Sequence, residues 1–360
     1  MDADFIVIGG GIAGVSAAAR LAGLGSVVLL EAEAALGYHS SGRSAALYEA
    51  NYGAPATVEL TRASFGWLRD AGVLRPRGFL VVAGPGEEDA FAADLDVLCL
   101  RPVSMAEALE MVPILDPARI TGVAHGEDAQ DIDADAMMQR FVREARAGGA
   151  VICTSAAVEA LDRDAGGWRV RAGGEDHRAP VVVNAAGAWA DRVARLAGVE
   201  PLGIVPCRRS IAQLPPPGGH DVSRWPMFMG AGEGWYAKPE AGRLLVSPAE
   251  EDPVEPHDAW ADDMVLAEGL ARYEAAVTVP VTRVEKSWAG LRSFSPDRAL
   301  VIGEDPSAPG FFWLAGQGGQ GMQSAAGASL HLADCVAGRA PAVGAEITRA
   351  VSPSRFCGSG

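Results

Sequence analysis

Apolar residues near the start of the chain form two short runs, at residues 4–8 and 27–30, and each has the length of a single strand. A glycine cluster follows the first run, and residues 12–24 then have the pattern of a helix. A strand, a glycine turn, a helix and a strand within about thirty residues are typical of a βαβ unit in a doubly wound sheet. The chain is therefore predicted to open with a nucleotide-binding α/β fold.

The pattern changes in the middle of the chain. Between residues 154 and 184, short β-rich runs at 157–161, 168–171 and 181–184 alternate with glycine-rich turns, which predicts a small β-meander. From residue 201 to about residue 285, alternating apolar and polar positions broken by many prolines favour antiparallel strands joined by rigid turns. This part is predicted to be a second, α+β domain dominated by an antiparallel sheet.

The C-terminal part returns to an α/β pattern, with a strand at 311–315, a glycine-rich turn and a helix at 322–336. We therefore expect the two ends of the chain to build one discontinuous, Rossmann-like domain together with the meander. Its predicted segments are residues 1–77, 136–203 and 286–360, and the predicted segments of the second domain are residues 78–135 and 204–285.

Charge and composition exclude several classes of protein. A net charge of −16 disfavours a nucleic-acid surface, because phosphate contacts need clustered basic residues. No apolar run is long enough for a transmembrane segment, and the start lacks the features of a signal peptide, so the mature protein is expected to begin near Met1. The cysteines show no metal-ligand spacing, which predicts reduced thiols, no metal site and a cytoplasmic location. They are Cys99, Cys153, Cys207, Cys335 and Cys357.

Residues 9–14 read Gly-Gly-Gly-Ile-Ala-Gly and match the GxGxxG fingerprint of dinucleotide sites. Gly9 permits the tight turn, Gly11 lets the backbone approach a pyrophosphate, and Gly14 allows close packing of the helix. Glu31 ends the second strand, where a carboxylate accepts both ribose hydroxyls and disfavours a 2′-phosphate. The fingerprint predicts FAD or NAD and leaves the choice between them open.

Several segments together resemble the D-amino acid oxidase superfamily of FAD flavoproteins, and within it the D-arginine type of D-amino acid dehydrogenase. They are residues 5–14, 37–46, 184–189, 287–294 and 311–323. The resemblance covers nearly the whole chain. It implies an FAD-binding first domain, a substrate-binding second domain, and noncovalent FAD, since no cysteine matches the attachment position of the flavinylated members.

The resemblance also implies which residues hold the cofactor. Small and hydroxylic side chains at 40–46 would let the backbone pass close to a flat ring, and the glycine loop before the last helix would point amide dipoles at it. The predicted cofactor-binding residues are Gly9, Gly11, Ile12, Ala13, Gly14, Glu31, Ser40, Ser41, Arg43, Ser44, Ala45, Ala46, Val158, Ala186, Gly187, Gly316, Gly318, Gly319, Gly321, Met322 and Gln323.

By the same resemblance, Arg292 and Arg209 bind the substrate carboxylate, Tyr236 donates to it, and Tyr52 is a lid tyrosine. An arginine suits the first task because its planar fork grips a carboxylate at two points. The remaining residues of the predicted substrate pocket are Leu47, Glu49, Phe79, Gly319 and Gln323.

The predicted activity is FAD-dependent oxidation of a D-amino acid by hydride transfer from Cα to flavin N5, after which the imino acid hydrolyses. Phe79 and Leu47 stand where relatives with basic substrates have a glutamate and a histidine, which favours an apolar substrate side chain. A basic substrate side chain stays open as an alternative, because Glu49 could serve as its charge partner. The alternatives are a glycine- or sarcosine-type amine oxidase and a flavoprotein with a binding or electron-carrier role. The electron acceptor, oxygen or a quinone, also stays open.

Overall fold

The computed structural model describes residues 1–356, so Cys357 lies outside the described part, and the other four cysteines form no disulfide there. The helices are α1 (Ile12–Leu21), α2 (Pro55–Asp70), α3 (Glu88–Val97), α4 (Met105–Met111), α5 (Ala134–Ala147), α6 (Ala190–Leu196), α7 (Asp263–Glu274), α8 (Gly321–Val336) and α9 (Gly344–Val351). The strands are β1 (Phe5–Ile8), β2 (Val27–Leu30), β3 (Leu47–Tyr48), β4 (Leu74–Pro76), β5 (Phe79–Ala83), β6 (Arg101–Pro102), β7 (Gly122–Gly126), β8 (Gln130–Ile132), β9 (Val151–Cys153), β10 (Val158–Asp164), β11 (Gly167–Ala172), β12 (Glu175–Ala179), β13 (Val181–Asn184), β14 (Val205–Leu214), β15 (Met227–Gly230), β16 (Tyr236–Glu240), β17 (Arg243–Ser247), β18 (Asp252–Pro253), β19 (Lys286–Phe294), β20 (Val301–Glu304) and β21 (Phe311–Ala315).

The first large sheet has the strand order β20-β21-β13-β1-β2-β9, and β1 runs parallel to both of its neighbours. Both faces are covered, so every residue of β1 and β2 is buried. Val7 and Leu29 pack towards the helices α1, α5 and α8, whereas Ile6 and Val28 pack towards the meander. The predicted α/β fold with a Rossmann-like FAD-binding domain is confirmed.

The meander differs from the prediction in its third strand. Strands β10, β11 and β12 form the three-stranded antiparallel sheet, whereas β13, which was predicted to belong to it, lies in the first large sheet between β1 and β21. The sequence of β12 is Glu-Asp-His-Arg-Ala, and only His177 and Ala179 are buried. Such a polar strand carries little of the β-rich signal, which explains why the apolar β13 was assigned in its place.

The second large sheet has the order β18-β14-β17-β16-β15-β5-β7-β6, with β19 also paired to β14. It is mostly antiparallel, although β15 and β5 run parallel. The prediction assigned residues 286–294 to the first domain. In the structure these residues form β19, which is hydrogen-bonded along β14 in the second large sheet. A partner about eighty residues away leaves no local signal. The other boundaries stay a proposal.

A third, small sheet joins β3, β8 and β4, and it carries Leu47 on its first strand. Helix α7 begins after Asp262, whose side chain accepts hydrogen bonds from the first turn, and this helix was not predicted. Within residues 1–356, no helix combines the length and the apolar character that crossing a membrane requires.

Candidate active site

A cavity of about 610 Å³ is lined by residues of both large sheets, a volume within the usual range for ligand sites. Nearly all of the predicted site residues line it. These are Gly9, Gly11, Ile12, Ala13, Glu31, Ser40, Ser41, Arg43, Ser44, Ala45, Ala46, Leu47, Glu49, Tyr52, Phe79, Val158, Ala186, Gly187, Arg209, Tyr236, Arg292, Gly318, Gly319, Gly321, Met322 and Gln323. Gly14 and Gly316 lie outside the lining.

The glycine turn after β1 has the geometry of a phosphate cradle. Gly9 has a φ of +108°, and a Cβ there would lie 2.5 Å from the Ala185 carbonyl oxygen. A Cβ at Gly14 would lie 1.7 Å from the Gly9 carbonyl oxygen, so Gly14 packs the helix against the turn without lining the cavity. Gly11 precedes α1, and the backbone N–H groups of the first helical turn, which have no partner within the helix, favour an anion.

Glu31 lies at the carboxyl end of β2 and lines the cavity. Its carboxylate is already positioned, because Oε2 accepts from the Gly10 N–H at 2.5 Å and Oε1 accepts from the Glu33 N–H at 2.8 Å. A carboxylate in this position fits a ribose at the far end of a bound dinucleotide.

The loop over the cavity contains a short 3-10 turn at Ser40–Arg43. Ser41 Oγ accepts from the Ile12 N–H at 2.9 Å, and Ser40 Oγ donates to the Leu291 carbonyl oxygen at 2.6 Å. The guanidinium of Arg43 binds the carbonyl oxygens of Ala259 and Ala289, at 2.8 and 3.0 Å. Arg43 therefore fixes the loop, and its charged end is engaged by protein groups.

Arg292 lies on β19 opposite Cys207, and Arg209 lies on β14 opposite Gly290. Cross-strand partners project to the same side of a sheet, so both guanidinium groups project from one face. A Cβ at Gly319 would lie 2.9 Å from Arg292 Nη1, so a side chain there would displace the guanidinium from its place beside the loop before α8.

The two arginines differ in their partners. Arg209 donates from Nε to the Glu250 carbonyl oxygen at 2.8 Å, and its Nη2 lies 3.1 Å from Glu251 Oε1. Burial, together with the nearby Arg292, lowers the pKa of Arg209. The side chain of Arg292 forms no hydrogen bond or ion pair with any of residues 1–356. Its guanidinium fork is therefore available to an anionic ligand.

Burial opposes the charge of Arg292, but Tyr52, Tyr236 and Glu233 outweigh that effect and raise its pKa. The guanidinium is therefore kept in its charged form. Tyr236 lies on β16 opposite Met229 and lines the same cavity. A charged fork beside a phenol is a suitable receptor for a carboxylate.

Glu233 was not predicted from the sequence. Its Oε2 accepts a hydrogen bond from the Tyr52 hydroxyl at 2.9 Å, and burial together with this carboxylate raises the pKa of Tyr52. Glu233 has a φ of +58°, and the neighbouring Gly232 N–H donates to Asp94 at 2.8 Å. The only sequence signal for Glu233 is its position just before the Gly234-Trp235-Tyr236 segment. Its partner Tyr52 is 181 positions away, so no local pattern indicates the bond between them.

Gln323 connects helix α8 to the loop that carries Glu49 and Tyr52. Its Oε1 accepts from the Glu49 N–H at 2.9 Å, and its Nε2 donates to the Tyr52 carbonyl oxygen at 3.4 Å. Burial raises the pKa of the Glu49 carboxyl, which also lines the cavity. These contacts keep Glu49 and Tyr52 next to the start of α8.

One wall of the cavity is apolar. Phe79 and Leu47, both predicted, share one hydrophobic cluster with Met227 and Met229, which were not. All four also line the cavity. In the described part of the chain, no group of three or more His, Cys, Asp or Glu side chains is arranged to hold a metal ion.

The family described as FAD dependent oxidoreductase (DAO) matches residues 4–335. This chain belongs to that family. FAD is its cofactor, and the residues present fit it: the turn at Gly9–Gly14 leaves space that side chains would fill, and Glu31 lies where a ribose is bound. The sequence was also predicted to resemble D-amino acid dehydrogenases in particular, but none of the relatives described next carries that name.

The curated relatives act on several substrates, according to their names. Mitochondrial sarcosine dehydrogenase of Mus musculus is 27% identical over 383 aligned positions, which cover 92% of this chain and 39% of the relative. Glycine oxidase of Geobacillus kaustophilus is 27% identical over 239 positions, which cover 65% of this chain and 61% of the relative. The chain thus spans less than two thirds of the length of these relatives.

Solved structures share the fold over nearly the whole chain. L-proline dehydrogenase from P. horikoshii superposes with a TM-score of 0.84 at 21% identity, covering 99% of this chain and 98% of the other. Glycine oxidase from Geobacillus kaustophilus superposes with a TM-score of 0.82 at 23% identity, covering 95% and 96%. At identities this low, the superpositions establish the common fold alone.

We expect the FAD of this family member to be released when the purified protein is denatured with acid. The reason is that its predicted site holds the cofactor by hydrogen bonds and packing alone. The measurement is flavin absorbance in the supernatant and in the precipitate. Flavin that stays with the precipitated protein would contradict noncovalent binding.

Proposed function

We propose that this protein oxidises the Cα–N bond of a small amino acid or N-methyl amino acid, of the glycine or sarcosine type. The observation that carries the proposal is the guanidinium of Arg292, which lines the cavity and forms no salt bridge in the described part of the chain. A carboxylate of the substrate would supply that partner. The sarcosine dehydrogenase and glycine oxidase among the relatives support the same substrate type.

The chain's own residues bind and orient the substrate. Arg292 grips the carboxylate at two points, and the Tyr236 hydroxyl donates to the same group. The start of α8 lies beside Arg292, so a substrate held there is presented to the glycine loop that lines the cofactor part of the cavity. Bound FAD would supply the acceptor for the hydride from Cα, and the resulting imine would hydrolyse in water.

A D-amino acid with an apolar side chain is the second candidate substrate. Leu47, Phe79 and Met229 form an apolar wall at the substrate end, and glycine or sarcosine would leave that wall without a contact. Covering it with an apolar side chain contributes about 25 cal/mol for each Å² removed from water. The wall therefore favours a substrate with a side chain.

An anaerobic substrate screen tests both candidates. Bleaching of the flavin by glycine or sarcosine would support the first, and bleaching by D-leucine, D-methionine or D-phenylalanine the second. If no amine bleaches the flavin, the proposal is wrong and a binding or electron-carrier role takes its place. Reoxidation with oxygen, compared with a quinone, then identifies the class of acceptor.

Replacing Phe79 by glutamate tests whether the apolar wall selects the side chain. We expect the ratio of kcat/KM for D-arginine to that for D-leucine to rise by about a hundredfold, because the wall would gain a partner for a cation. Phe79→Leu is the matched control and should leave the ratio near that of the wild type. An unchanged ratio in Phe79→Glu would place the side-chain pocket elsewhere.

A further inference from the structure

A segment without regular structure crosses the outside of the cofactor loop. This strap, residues 254–262, connects β18 to α7. Its Asp258 carboxylate forms an ion pair with Arg43, with Nη2 and Oδ1 2.5 Å apart, and accepts a hydrogen bond from the Tyr38 hydroxyl at 3.2 Å. The Ala259 carbonyl oxygen also accepts from Arg43, at 2.8 Å. The strap therefore contacts the loop through the Asp258 side chain and the Ala259 carbonyl oxygen.

The loop beneath the strap is one wall of the cofactor cavity. Residues 37–41 and 43–44 all line the cavity, and none of the strap residues does. The wall is fixed on its inner side by Ser41, which accepts from the first N–H of α1. It is fixed to β19 by the Ser40 bond to Leu291 and by the Trp288 indole, which donates to the Arg43 carbonyl oxygen at 3.3 Å.

Apolar packing holds the strap in the same place. Val254 and Ala259 share one hydrophobic cluster with Ala188, Trp189 and Leu291. Ala188, Trp189 and Leu291 also line the cavity. The strap thus covers the wall from outside with both polar and apolar contacts, although it belongs to a connection of the second large sheet.

We propose that the strap is a latch that controls the release of FAD, and that Asp258 is a positioning residue that acts on the cofactor through Arg43. For FAD to leave on this side, the wall has to move away from α1. The Arg43 side chain ties that wall to Asp258, Ala259 and Ala289, so the wall cannot move until these bonds are broken. This inference rests on FAD binding and is independent of the substrate.

Asp258→Asn tests the latch with FAD binding as the readout. We expect the dissociation rate constant of FAD, followed by flavin fluorescence after dilution of the holoenzyme, to rise about threefold to fivefold, as for a partly exposed ion pair. Arg43→Ala removes more bonds and should raise it by about tenfold or more. Asp263→Asn is the matched control: it removes the same charge at the exposed start of α7, and release should be unchanged.

The double variant shows whether Asp258 acts through Arg43. We expect Asp258→Asn combined with Arg43→Ala to release FAD no faster than Arg43→Ala alone. Additive effects of the two changes, or release from Asp258→Asn at the rate of the wild type, would overturn the proposal. Melting temperatures of the FAD-free forms serve as the folding control, and a faster release that is matched by an equal loss of apoprotein stability would overturn it as well.

Discussion

Replacing Arg292 by lysine is expected to lower kcat/KM for the amine by about a hundredfold or more, while the affinity for FAD stays that of the wild type. Lysine keeps the positive charge, but its ammonium group cannot reproduce the planar two-point contact with a carboxylate. The loss of orientation at Cα is the costly part, because small displacements of a reacting atom lower the rate steeply. The measurements are steady-state kinetics and FAD titration of the same preparation.

The control for this variant is Arg283→Lys, the same substitution at an exposed arginine whose side chain pairs with Glu285. It should leave kcat/KM unchanged. A large loss of FAD in Arg292→Lys would mean that Arg292 supports the cofactor and does not select the substrate. Wild-type kinetics in Arg292→Lys would remove the central observation behind the proposed function.

Arg292 and Arg209 also show what the sequence can and cannot predict about such a site. Each was proposed from its own motif, and their common face follows only from the pairing of β14 with β19. Because of the same pairing, residues 286–294 belong to the second large sheet, although they were predicted to belong to the first domain. Long-range strand pairing depends on contacts between distant segments, and a local pattern of apolar and polar residues does not encode them.

The βαβ unit at the N-terminus was predictable because all of its signals are local. The apolar strands β1 and β2, the glycine turn and Glu31 follow one another in the chain, and the prediction placed both strands within one residue of their bounds. Glu233 is the opposite case. It reaches the cavity in a left-handed backbone conformation, and its bond to Tyr52 joins residues that are 181 positions apart.

A change at Gly11 is expected to have the largest effect on the cofactor. Gly11→Val should weaken FAD binding by about a hundredfold or more, equivalent to about 2.7 kcal/mol, because the side chain would occupy the space of the pyrophosphate. The backbone at Gly11 is extended, with φ of −74°, and a Cβ there would lie 3.2 Å from Ser41 Oγ. The Ser41 hydroxyl has to move by a few tenths of an ångström to accept the valine, and no backbone atom is in the way. We therefore expect the melting temperature of the FAD-free protein to change little.

Two further glycines separate cofactor loss from unfolding. Gly66→Val, on the exposed side of α2, is the matched control: a Cβ there meets nothing within 4 Å, so FAD content and melting temperature should both be retained. Gly14→Val should instead destabilise the protein itself, because its Cβ would overlap the Gly9 carbonyl oxygen at 1.7 Å. Wild-type FAD content in Gly11→Val would refute the cradle at this turn, whereas loss of folding equal to that of Gly14→Val would show that Gly11 acts on packing.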